Sequence, residues 1–131
     1  DSVLQGVPRS LPALQASQSI QGRARKLGFD WPGMEGPIEK LREEVIEFAQ
    51  AENASDRSDE FGDILFVLCG IAQRLDIDAE AALRGSNARF RQRFELVERF
   101  TTEAGRPMTE MPIEVIEAMW QRAKKEIRNN S

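Results

Sequence analysis

Residues 40–68 read KLREEVIEFAQAENASDRSDEFGDILFVL, and the reading of this stretch decides the fold. It is two amphipathic helices joined by a short polar connection. Each carries two carboxylates three residues apart, Glu44 with Glu47 and Glu60 with Asp63. Residues at that spacing are neighbours on a helix surface, so either pair can close on one cation. On a wheel turning about 100° per residue, Leu41, Val45 and Phe48 define the apolar stripe of the first helix. Glu44 falls roughly 60° from the centre of that stripe and Glu47 roughly 120°, on the same side, while Glu43 points away. In the second helix the stripe is Phe61, Ile64, Leu65, Leu68, Ala72 and Leu75. Glu60 and Asp63 share one flank of it, at roughly 70° and 130°. Each helix is thus expected to bury its stripe with its acids at the edge of the core, and facing flanks would bring four carboxylates together.

A Glu-rich helical chain also produces such pairs as solvated surface or as partners of nearby Arg. The edge-of-core position favours the cation, because like charges there repel and lose water unless something neutralises them.

The composition narrows the chemistry. A chain of 131 residues with 40% hydrophobic and 31% charged residues has the length and make-up of one soluble globular domain. A net charge of −4 argues against general nucleic-acid binding, which needs a basic face. The single Cys excludes an intrachain disulfide; Cys69, inside ILFVLCGI, reads as a small buried hydrophobe, consistent with a reducing, cytoplasmic setting. There is no His. That removes the usual Ser–His and Cys–His nucleophilic pairs, His-based zinc sites and the Glu-x-x-His ligands of di-iron bundles. Any metal must be held by oxygen, which favours Mg²⁺, with Mn²⁺ as a substitute. The longest apolar run, Ile64 to Ile71, is far short of the ~20 residues of a membrane span. No signal peptide is visible. The chain opens on Asp1 rather than Met, as a processed or excised piece would.

Outward from the central stretch, residues 1–10 (DSVLQGVPRS) read as a linker or extended arm, and residues 11–131 as a helical domain. A first helix is expected over Leu11–Leu27, capped by Ser10 and ended by Gly28. Residues 29–36 (FDWPGMEG) read as loop, in which Trp31 either caps the core or stacks on a base. Pro37 opens the first acidic helix, and Ser55 or Asp56 caps the second, which runs to Leu75. Asp78 caps a long helix through Glu103 with Gly85 as a weak point; Thr101–Pro112 is loop. A last helix spans Ile113–Ile127, with Arg128 to Ser131 fraying. The prediction is an all-α bundle of about five helices without strands. The long helix places Arg89 and Arg93 on one face, a geometry suited either to phosphate oxygens or to Glu95 and Glu98. In the last helix Trp120 and Lys124 are likewise four apart. Four converging acids with separate cations suit Mg²⁺-assisted attack of water on a polyphosphate, and without His the base is Glu.

The motifs LPAL from Leu11, GFDW at Gly28–Trp31, EExxE at Glu43–Glu47, DEFGDILF at Asp59–Phe66, SNARFRQRFELVE at Ser86–Glu98 and MW at Met119–Trp120 follow one another along nearly the whole chain. In order and spacing they resemble the MazG family of all-α nucleoside triphosphate pyrophosphohydrolases. The arm GVPRSLPAL looks like the segment preceding the C-terminal domain of two-domain members. The resemblance implies that Glu44, Glu47, Glu60 and Asp63 are Mg²⁺ ligands and catalytic, with Glu47 polarising the water or exchanging that role with Glu44. It implies cleavage between the α and β phosphates, phosphate contacts from Asn87, Arg89, Arg93 and Lys124, an aromatic border to the nucleotide from Trp120, and a homodimer. Relatives often carry Lys just before the second acid pair, where this chain has Asp56 and Arg57, and a basic residue at Ser19. A dedicated dUTP or dCTP hydrolase is the narrower alternative. A catalytically idle helical dimerisation module is the alternative from another class.

Overall fold

A computed structural model describes residues 1–130. Ser131, expected to fray, lies outside the described residues. Those residues form five α-helices and no strand: α1 (Ala13–Lys26), α2 (Glu35–Gln50), α3 (Ala54–Arg74), α4 (Ala79–Ala104) and α5 (Ile113–Asn129). A 3₁₀ turn, Met108–Glu110, interrupts the loop before α5. The chain divides into two compact units, Asp1–Ala82 and a second that begins at Leu83, within α4.

In the first unit α3 packs against both α1 and α2. Its start is set by Asn53, whose Oδ1 accepts from the Asp56 backbone N at 2.8 Å. The expected caps Ser55 and Asp56 lie inside the helix instead, because Asn53 already supplies an acceptor one turn earlier. Asp76, at φ 56°, closes the other end, and Ile77 N returns to Ala72 O at 2.8 Å.

Helix α1 begins two residues later than its sequence suggests. Pro12 precedes it and offers no side-chain acceptor. Glu80 does this from far along the chain, its Oε1 accepting from Leu14 N at 3.2 Å, a carboxylate at the positive end of the helix dipole. Gly28, at φ 93°, ends α1 as expected.

No residue of α1 is fully buried, and two glutamines lie where it meets α3. Gln73 lies over Gly22, where a Cβ would sit 3.0 Å from Nε2. Gln21 lies over Gly70 and donates to Ser17 Oγ at 3.0 Å and Phe66 O at 2.8 Å. Cys69 is buried as predicted.

The second unit has its own core of Val97, Phe100 and Ala123, flanked by Leu96, Met108, Met119 and Trp120. Gly85 does not interrupt α4, which continues through the Thr101–Ala104 stretch expected to be loop. The α5 helix persists through Arg128 and Asn129. Several stripe residues stay open in the single chain: Val45, Phe61, Leu65 and Leu68 are all exposed, as is Phe90 of α4.

Candidate active site

Three of the four carboxylates expected to converge do so, and in each pair the acid nearer the apolar stripe is the more buried. Glu44 is 4% exposed, Glu60 is half-buried and Glu47 is exposed. One carboxylate oxygen from each of these three lies within 4.8 Å of the others. Asp63, one turn beyond Glu60, is exposed and stands outside that group.

Lys40, one turn before Glu44, completes the arrangement. Its Nζ sits 2.9 Å from Glu44 Oε1 and 3.9 Å from Glu43 Oε2. That hydrogen bond and charge hold the Glu44 carboxyl below the usual carboxylate range, although burial opposes it. The same pairing raises Lys40. Among the described residues no such cation pairs with Glu60. Loss of water, then its hydrogen bond to Glu44 and the Glu47 charge, push it up to about 7. Oε2 of Glu44 and Oε2 of Glu60 are both buried with no hydrogen-bond partner. Two orphaned acceptor oxygens beside a third carboxylate are costly alone and match an oxygen-ligated divalent cation. The residues present therefore fit such an ion.

Lys40 was not singled out from the sequence, although its i,i+4 spacing to Glu44 is a readable signal. Arg74 was missed for a different reason. It pairs with Asp30, 44 residues away, and no local pattern foretells that.

The other predicted residues fall elsewhere. Trp31, in the first unit, is 53% exposed and does not cap a core. The remaining five belong to the second unit. Arg89 is exposed and donates to Ser86 Oγ at 3.1 Å. Arg93 lies 5.9 Å from the centre of the Trp120 ring, which also meets Phe90 at 5.5 Å. Asn87 lines a shallow surface depression with Phe90 and Phe94, and Lys124 is half-buried.

Known proteins are similar to this chain. Residues 31–89 match the family model of phosphoribosyl-ATP pyrophosphohydrolase. The nucleoside triphosphate pyrophosphohydrolase/pyrophosphatase MazG of Thermotoga maritima is 37% identical over 114 residues, covering 87% of this chain and 45% of that protein. The nucleoside triphosphate pyrophosphohydrolase of Escherichia coli K12 is 37% identical over 130 residues, 95% of this chain and 49% of the relative. An uncharacterized protein, YabN, of Bacillus subtilis is 37% identical over 133 residues, covering 27% of its own length. The chain thus spans about half the length, or less, of these relatives.

Proposed function

We propose that the chain, as a member of the MazG family of nucleoside triphosphate pyrophosphohydrolases, hydrolyses a nucleoside triphosphate between its α and β phosphates. The products are the monophosphate and pyrophosphate. The observation that carries this reading is the pair of buried, unpartnered oxygens on Glu44 and Glu60, within reach of Glu47.

Mg²⁺, or Mn²⁺ in its place, is the proposed ion, held by Glu44, Glu47 and Glu60, with Asp63 as a fourth ligand from the next turn of α3. When bound, it supplies Lewis acidity toward water and the phosphate oxygens. Glu47, the most exposed of the three, takes the proton as water attacks the α phosphorus. The bond to the bridging oxygen breaks and pyrophosphate leaves. Lys40 keeps Glu44 ionised, and so a ligand, at neutral pH. Asn87, Arg89, Arg93 and Lys124 are the proposed phosphate contacts, where guanidinium forks match phosphate oxygens, and Trp120 borders the nucleotide.

The exposed Val45, Phe61 and Leu65 suit a homodimer that covers them. A cytoplasmic nucleotide pool is the proposed setting. No helix among the described residues is long and apolar enough to cross a membrane.

The test is pyrophosphate release with Mg²⁺ across a panel of nucleoside triphosphates that includes dUTP, dCTP and phosphoribosyl-ATP. Glu44→Ala is expected to lower turnover by at least about 100-fold, a loss of about 2.7 kcal/mol of transition-state stabilisation, with the helical signal intact. Undiminished turnover in that variant removes the site, and no release from any substrate leaves the idle dimerisation module in its place.

A further inference from the structure

Glu44 uses its two carboxylate oxygens differently. Oε1 accepts from Lys40 Nζ at 2.9 Å, whereas Oε2 is buried with no hydrogen-bond partner. The last torsion of a Glu side chain is broad and roughly two-fold, so burial alone does not decide which oxygen faces which neighbour. A bond to one oxygen does decide it.

Lys40 is placed to make that bond and no other. It stands four residues before Glu44 on α2, a spacing at which helical side chains meet. Glu43 Oε2 lies 3.9 Å from Nζ, beyond hydrogen-bond range. The pair is also in the weaker order for stabilising a helix, which favours the acid before the base. Lys40 lines, with Pro37, Phe66 and Val67, a cavity of about 690 Å³ beside α1 and α3, whose walls also include Trp31 and Arg74. Apolar walls of this kind shelter the methylenes of a lysine while its ammonium head stays among polar groups.

Resting on the reading of Glu44, Glu47 and Glu60 as ligands of a divalent ion, we infer that Lys40 is a positioning residue for that ion. Its bond to Oε1 fixes how the Glu44 carboxylate is turned and leaves Oε2 for the metal. This role differs from keeping Glu44 ionised, which a positive charge fills without a bond. It needs a hydrogen-bond donor at one place. Partners that hydrogen-bond a metal ligand from behind orient it, and their loss weakens metal binding by roughly 10–100-fold. A positive charge near a cation acts the other way, because it repels the ion. Removal of Lys40 therefore weakens binding if it orients Glu44, and strengthens binding if it only repels.

The test titrates Mg²⁺ into the nucleotide-free protein by calorimetry at neutral pH, with Mn²⁺ followed by electron paramagnetic resonance as a second readout. Lys40→Met keeps the side-chain length without a donor, Lys40→Gln keeps a donor without the charge, and Lys40→Arg keeps both. Lys40→Met is expected to raise Kd for Mg²⁺ about tenfold or more, with Lys40→Gln and Lys40→Arg within about threefold of the parent. Arg42→Met removes the same charge from an exposed side chain of α2, paired with Glu39 at 3.6 Å, and is expected to leave Kd within about twofold. A Kd that Lys40→Met leaves unchanged or tightens overturns the inference. Equal weakening in Lys40→Met and Lys40→Gln overturns it too, because charge alone then accounts for the effect. Lys40→Ala, at the residue type with the highest helix propensity, repeats the donor-free arm should Lys40→Met fold poorly. A parent protein that takes up no Mg²⁺ removes the ion and the positioning role together, while pyrophosphate release, measured separately, judges hydrolysis.

Discussion

Replacing Glu60 by Gln separates the two properties that the acidic group combines. Glu60 titrates near 7 because burial and two neighbouring carboxylates disfavour its charge. At pH 6 the folded carboxyl is then roughly ten parts protonated to one ionised, whereas the unfolded one is almost fully ionised. The folded state thus holds a proton that the unfolded state has released between about pH 4.5 and 7. Stability from this group is present below that window and is lost as pH rises through 7. Gln is neutral throughout and can donate to the orphaned Glu44 Oε2. Without metal, Glu60→Gln should melt above the parent protein at pH 8, and the difference should shrink toward pH 5.5. With Mg²⁺ the order reverses. A hundredfold excess over Kd adds ~2.7 kcal/mol to the parent, roughly 8–11 °C in Tm for a chain of this size, and far less to the variant. Thermal melts at the two pH values, with and without Mg²⁺, measure all four quantities. Equal Mg²⁺ shifts in both proteins, or a metal-free difference that does not grow with pH, would refute the placement of Glu60 beside Glu44 on a shared ion.

Two further outcomes test the scaffold. Asn53→Ala removes the acceptor at the start of α3 and should cost about 1 kcal/mol in denaturant melts, with Asn53→Ser recovering most of it. Val97→Ala, at a side chain only 1% exposed against Phe100 and Ala123, should cost about 2–3 kcal/mol, while the exposed Val115→Ala should stay within about 0.5 kcal/mol.

The helices were legible because their signals are local. Apolar spacing, the Gly28 stop and the Asp78 cap, which accepts from Ala81 N at 3.0 Å, all act within a turn or two. The wheel also ranked the acids by burial, setting Glu44 inside Glu47. What it could not place was Asp63, because period alone does not say how far α3 is rotated against α2. The Ser10 cap was misread for a similar reason: the acceptor that serves α1 is Glu80, brought from 66 residues away.

Residue type and spacing alone establish that this chain is helical, that any metal it binds is ligated by oxygen, and that Glu44 lies deeper than Glu47. These follow from residue type and from a period of 3.6. Only the tertiary structure decided that Lys40 and three Glu form one group with two unpartnered oxygens, and that Arg74 reaches back to fasten Trp31 over a cavity. Such pairings depend on how separate helices cross, and a one-dimensional pattern carries no information on the angle and depth of that crossing.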